Sequence, residues 1–77
     1  MDVYSMMEEL RPYITEETYD LLLESAVEDE RSLGPLVRRT VEVDEQGHEV
    51  VRKYYVEGDD IPMWAFDARR FGVPYFE

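Results

Sequence analysis

Hydrophobic side chains in the first half of the chain recur with the period of an α-helix. One apolar stripe consists of Tyr19, Leu22, Leu23, Ala26 and Val27, and the acidic residues on the water side are Glu16, Glu17, Asp20, Glu24 and Glu28. Thr15 is a good N-cap for this helix, and Glu16 and Glu17 fall in the first turn, where the helix dipole favours negative charge. The pattern predicts an amphipathic helix with a buried stripe and solvated carboxylates.

A second helix is predicted after a tight corner. Ser32 can cap it, and Pro35 is tolerated in its first turn. The apolar residues that would face inward are Leu33, Leu36 and Val37. Residues 15–41 are therefore interpreted as a pair of helices.

Residues 1–14 precede this pair as an N-terminal arm. Four apolar residues of the arm have helical spacing, namely Val3, Met6, Met7 and Leu10. They predict a short helix that Pro12 ends. Residues 11–14 are then expected to be extended, because the residue before a proline avoids the helical region.

The hydrophobic period changes to two after Thr40. We interpret residues 42–58 as a β-hairpin with its turn at residues 44–47, where a left-handed glycine is expected. Val50 to Val56 is rich in β-forming residues and supplies one of the two strands. Gly58 then ends the hairpin.

Residues 59–77 form an aromatic tail in this interpretation. Three helix and strand breakers interrupt it (Pro62, Gly72 and Pro74), and one helical turn is expected around residues 65–71. Large aromatics and arginine dominate binding hot spots. The candidate partner-binding residues of the tail are Trp64, Phe66, Arg69, Arg70, Phe71 and Tyr75. The alternative is that the tail folds back as the lid of a small core.

Together these segments predict a small single α+β domain with an N-terminal arm, two helices, a β-hairpin and an aromatic C-terminal tail. A chain of 77 residues buries only about 60% of its unfolded surface. It has no cysteine for a disulfide or a thiolate metal site. A homodimer or a complex with another protein is therefore expected on physical grounds.

Negative charge dominates the composition, with 19 acidic and 8 basic residues and a net charge of −11. Such a field repels nucleic acid and anionic membranes. Three explanations stay open: a basic partner or mimicry of nucleic acid, a high-salt cytoplasm, and simple solubility. No window approaches the roughly 18 apolar residues of a membrane span, and a signal pattern is absent from the N-terminus, so we expect a cytoplasmic protein without a membrane partner.

Few residues are suited to chemistry. The lone histidine, His48, follows the turn glycine, where a solvated polar role is usual, and no nucleophile elbow or phosphate-binding loop occurs. Asp59 and Asp60 could contribute to a cation site, but adjacent acids in a turn are far more often solvated. We expect neither an enzyme nor a bound metal or cofactor.

The stretch from Thr15 to Val41 resembles the two helices of ribbon-helix-helix proteins, many of which are antitoxins of toxin–antitoxin pairs. The resemblance lies in the acidic start, in Leu22 and Ala26, in Glu-Arg-Ser-Leu at 30–33 and in Leu-Val-Arg-Arg at 36–39. It covers about a third of the chain.

The resemblance implies an intertwined dimer in which residues 10–14 pair as a two-stranded ribbon. Arg11 and Tyr13 would then face DNA, and the tail residues from Trp64 to Tyr75 would block a toxin's active site. The ribbon carries one arginine beside two glutamates, whereas DNA binding draws on phosphate neutralisation. The residues therefore favour the neutralising role over DNA binding.

Two function classes follow. The first is an antitoxin-like inhibitor that neutralises a partner enzyme through its C-terminal tail. The second is an acidic inhibitor, for instance phage-encoded, or a nucleic-acid mimic, that binds a nucleic-acid-binding protein through its carboxylate surface. A further alternative is a small subunit whose hairpin edge, within Val50 to Val56, adds to another protein's sheet.

Overall fold

Two helices come first along the chain, and three strands follow them. The structure is a computed structural model and describes residues 1–71. The helices are α1 (Val3–Leu10) and α2 (Glu16–Leu33), and the strands are β1 (Leu36–Val43), β2 (Glu49–Val56) and β3 (Trp64–Asp67). Single turns of 3-10 helix follow α1 at Arg11–Tyr13 and β3 at Ala68–Phe71. The small α+β domain predicted from the sequence is confirmed.

Helix α1 confirms the periodicity of the arm, because all four of its predicted apolar residues are fully buried. Asp2 caps the helix, and its carboxylate accepts a hydrogen bond from the Ser5 N–H at 2.7 Å. This bond lowers the pKa of Asp2. The extended segment expected at residues 11–14 is wrong, since Arg11–Tyr13 form a 3-10 turn and only Ile14 is extended. Proline is compatible with the first turn of a helix, so Pro12 ends α1 without straightening the chain.

Helix α2 begins where the N-cap predicts. The Thr15 hydroxyl accepts a hydrogen bond from the Thr18 N–H at 3.2 Å. Two residues of the predicted stripe are buried and the other three are half-buried. The helix continues to Leu33 and ends at Gly34, whose φ of 108° is a conformation that favours glycine. Neither this helix nor any other in the described part of the chain is long and apolar enough to cross a membrane.

The second helix expected within residues 32–41 is wrong, because β1 occupies most of this stretch. Helix α2 continues through Ser32, the expected cap of the second helix, and Pro35 lies between the end of α2 and the strand. The residues after it are rich in β-branched side chains, which favour strands: Val37, Thr40, Val41 and Val43. The proposed helical pair at 15–41 is therefore one long helix and most of a strand.

The hairpin is confirmed, although its first strand starts earlier than expected. β1 pairs antiparallel with β2. At the turn, the Asp44 carboxylate accepts hydrogen bonds from the N–H groups of Gln46 at 2.8 Å and His48 at 2.9 Å. These bonds lower the pKa of Asp44, the His48 N–H most strongly. Gly47 has the expected left-handed conformation, with φ at 85°.

The tail contains a third strand that the sequence pattern did not predict. β3 pairs antiparallel with β2, so the sheet order is β1-β2-β3 and β2 is central. The helical turn expected around residues 65–71 is therefore a strand followed by a 3-10 turn. Gly72 and Pro74, two of the predicted breakers, lie outside the described residues.

One hydrophobic core joins both helices to the sheet. Leu36, Tyr54 and Phe66 lie on the same sheet face by register. Among the described residues, the buried members of this core are Val3, Met6, Met7, Leu10, Tyr19, Ala26, Leu36, Tyr54, Phe66 and Ala68. For Phe66, the fold-back alternative for the tail is therefore correct.

Candidate protein-binding surface

The aromatic residues expected to bind a partner are mostly part of the fold. Phe66 is 3% exposed and belongs to the core. Trp64 is half-buried, with its ring 6.0 Å from that of Tyr54. Phe71 is 39% exposed and stacks on Phe66 with the ring centroids 5.0 Å apart. Tyr75 lies outside the described residues, so Phe71 is the described aromatic candidate that a partner could reach most easily.

The two tail arginines are exposed but differ in their contacts. Arg69 donates from Nε and Nη2 to the two carboxylate oxygens of Asp67, each at 3.1 Å. The pKa of Asp67 is lowered by this pairing. Arg70 lines a groove of about 220 Å³ together with Leu22 and Phe71. Arg70 and Phe71 are thus the tail candidates that the structure brings together at an accessible surface.

The proposed DNA-contacting residues do not form a ribbon. Arg11 lies in the 3-10 turn, where it pairs with Glu8 at 3.3 Å and Glu16 at 3.2 Å. Its guanidinium also stacks over the ring of Tyr19, 4.1 Å from the centroid. Tyr13 is half-buried, and its ring lies 5.8 Å from that of Phe66. Arg11 is engaged by two carboxylates of its own chain, and Tyr13 packs against the core.

A row of exposed carboxylates runs along the outer face of α2. Glu17, Asp20, Glu24 and Glu28 are three or four residues apart, so they lie on one side of the helix. All four are exposed. Among the described residues none of them forms an ion pair, because most basic side chains pair with acids elsewhere in the fold. Sequence analysis placed these carboxylates in water correctly, but it could not show that they stay unpaired.

The last three of these carboxylates border a groove of about 560 Å³. Leu23 and Val27 also line this groove, and both are half-buried against the core. Tyr4 contributes the opposite side from α1, with 60% of its surface exposed. The remaining lining residues are Arg31 and Ser32. The groove therefore combines an apolar floor with an acidic rim, and sequence analysis missed it because the contact between α1 and α2 was not predicted.

A separate polar network ties the end of α1 to the sheet. The Glu9 carboxylate accepts a hydrogen bond from the Tyr54 hydroxyl at 3.2 Å and pairs with Arg39 at 2.6 Å. Arg52 donates to the Glu9 carbonyl at 2.8 Å and pairs with Glu49 at 2.6 Å. Burial, together with the neighbouring Glu9, raises the pKa of Tyr54. Because a cation is favourable at a helix C-terminus, the Arg52 contact fixes α1 on the sheet.

The residues considered for chemistry make local contacts at turns. His48 Nδ1 lies 3.6 Å from the Asp44 carboxylate. Asp59 accepts a hydrogen bond from the Ile61 N–H at 2.9 Å. Within residues 1–71 no group of three or more His, Cys, Asp or Glu side chains is arranged to hold a metal ion.

Comparison with known proteins adds no relative to this description. No protein-family model, curated protein or solved structure matches the chain.

Proposed function

We propose that this chain is a protein-binding inhibitor that engages a basic partner through the groove between Tyr4 and α2. The observation that carries the proposal is the set of unpaired carboxylates, Asp20, Glu24 and Glu28, beside the half-buried Leu23 and Val27. A partner with lysine or arginine flanking an apolar residue would complement both parts of this surface.

The charge density of α2 favours a partner from the nucleic-acid-binding class. The helix has 18 residues, and at 1.5 Å per residue it is about 27 Å long. Its exposed row from Glu17 to Glu28 carries one carboxylate per about 5–6 Å, within a factor of two of the roughly 3.4 Å per phosphate along one strand of DNA. A basic surface built to follow a phosphate backbone would meet a comparable row of charges here.

The test compares two triple variants that change net charge equally. D20N/E24Q/E28Q neutralises the groove, whereas E45Q/E57Q/D60N neutralises three exposed acids elsewhere. The probe is a synthetic amphipathic peptide rich in lysine, arginine and leucine, with affinity followed by fluorescence anisotropy. We expect the groove variant to weaken binding about tenfold, the sum of three surface ion pairs, and the control variant to change it much less.

Salt provides the second readout of the same experiment. Binding of the native chain should weaken as salt rises, and the dependence should be shallower for the groove variant because fewer charges take part. Equal losses in both triple variants would mean that only diffuse net charge matters, and the groove would have no role.

An antitoxin-like inhibitor acting through residues 61–77 is the second candidate. It is favoured by one observation, the exposed Arg70 and Phe71 at the end of the sheet. Binding to an enzyme partner would then depend on Arg70 and Phe71 and would be insensitive to the groove variant. Removal of residues 59–77 cannot test it, because that deletion also removes β3 and the core residue Phe66.

A further inference from the structure

Among residues 1–71, the outer edge of β1 pairs with no other strand. β1 lies at one end of the sheet order and pairs with β2 on one side only. Its pairing register is regular from Arg38 to Glu42, and irregularities flank this window on both sides. Bulges and charged residues normally protect an edge strand against pairing with other chains. Here they restrict pairing to residues 38–42. In this window the charge of Arg38 is complementary to the charge of Glu42 in a second copy of the same strand.

Symmetry limits how β1 could pair with a second copy of itself. A two-fold axis perpendicular to the sheet brings two β1 strands together antiparallel and keeps both helix layers on the same side. Paired residues must then point to the same face, and side chains alternate faces along a strand. Two paired residues therefore both have even numbers or both have odd numbers, so the axis passes through a residue and not between two residues. Within the regular window this central residue is Arg39, Thr40 or Val41.

The three registers differ in their charge pairs. An axis at Arg39 places two arginines directly opposite each other, which is destabilising. An axis at Val41 pairs Thr40 with Glu42 and leaves the charge of Glu42 without an opposite partner across the interface. An axis at Thr40 pairs Arg38 of each copy with Glu42 of the other copy and places the two Thr40 side chains together, both of which are favourable cross-strand pairs.

We propose that two copies of this chain form a dimer through their β1 edges, in the antiparallel register centred on Thr40. The product is a continuous six-stranded sheet with both pairs of helices on one side. Val37 and Val43, which are 51% and 60% exposed, lie directly beside this window. Glu42 already pairs with Lys53 of its own chain, and Arg38 lies over the ring of Tyr55, 3.9 Å from its centroid. The dimer adds an ion pair between Glu42 of each copy and Arg38 of the other. The partner of this edge is thus a second copy of the chain.

The test is a charge swap followed by sedimentation. In R38E and in E42R, two favourable pairs become two repulsive ones, so each variant should raise the dimer dissociation constant by at least about tenfold. R70E is the matched control for R38E, because it makes the same charge change at an exposed arginine beyond β3, on the opposite side of the sheet. Circular dichroism of every variant checks that it folds.

Mixing the two single variants separates pairing from folding. An equimolar mixture of R38E and E42R places opposite charges at both contacts, so it should recover the native dimer, and so should the double variant R38E/E42R. A native chain that sediments as a monomer at every concentration would overturn the proposal. It would also be overturned by a mixture of folded variants that stays monomeric, or by single variants that dimerise as well as the native chain.

Discussion

At the scale of single residues, Glu30 belongs to the acidic run Glu28-Asp29-Glu30 near the C-terminus of α2, where the helix dipole disfavours negative charge. Its carboxylate Oε2 accepts a hydrogen bond from the Val3 N–H at 3.2 Å, 27 positions away along the chain. Negative charge at the N-terminus of α1 is favourable by the dipole argument. Glu30 therefore acts on the other helix, which local sequence reasoning could not reveal.

Replacing Glu30 by alanine should lower the free energy of unfolding by about 1 kcal/mol, since it removes a half-buried charged hydrogen bond. Glu28→Ala is the matched control, because it removes the same charge from an exposed position of the same helix. We expect little loss for the control in urea unfolding followed by circular dichroism. If the two variants lost equal stability, the contact with Val3 would have no energetic role.

At the scale of elements, β3 decides whether the tail is an effector or a part of the fold. Phe66 on β3 is buried in the core, so Phe66→Ala should cost about 3–5 kcal/mol. A domain of this size has a total stability of about 4–12 kcal/mol, so this variant should be largely destabilised. Phe71→Ala should cost about 1 kcal/mol, because the ring is partly exposed and stacks on one neighbour.

Thermal unfolding of both phenylalanine variants measures this difference. Similar small losses would show that β3 is dispensable, and the tail could then act as a separate segment. A large loss for Phe66→Ala alone would show that partner binding by the tail has to be tested at Phe71 and Arg70, without deletion.

Elements with strong periodicity could be predicted from the sequence, and elements defined by distant pairing could not. The stripe of α2 and its Thr15 cap, the arm helix and the turn at Gly47 all follow from local patterns. The error at residues 32–41 arose because Leu36 and Val37 fit a helical spacing as well as a strand. β3 was missed because four residues between breakers carry little local signal and depend on β2 for their hydrogen bonds.

The candidate site was predicted in part for the same reason. The solvated face of α2 follows from helical periodicity, so its carboxylates were identified from the sequence. The groove needs Tyr4 from α1 beside Leu23 and Val27, and only the packing of the two helices brings these together. The free edge of the hairpin was assigned to Val50–Val56, whereas that strand is central and β1 holds the edge.

At the scale of the whole molecule, like charges interact over distances comparable to the size of the protein. The molecule measures 35 × 28 × 17 Å. The screening length falls from about 30 Å at 0.01 M salt to about 3 Å at 1 M salt. At low salt the excess carboxylates therefore repel one another across the entire domain, whereas at molar salt only charges in contact interact.

This repulsion predicts that the melting temperature rises as sodium chloride increases from 0.01 M to 1 M. The exposed ion pairs weaken over the same range, but each contributes little, so the loss of repulsion in a chain of net charge −11 should dominate. The variant D20N/E24Q/E28Q should melt higher at low salt and show a shallower rise. Stability would then increase with salt while binding of a basic peptide decreases, and the opposite signs separate the two consequences of one charged surface. A melting temperature that falls with salt would mean that attractive ion pairs outweigh the repulsion between carboxylates. The acidic surface would then not destabilise the folded state.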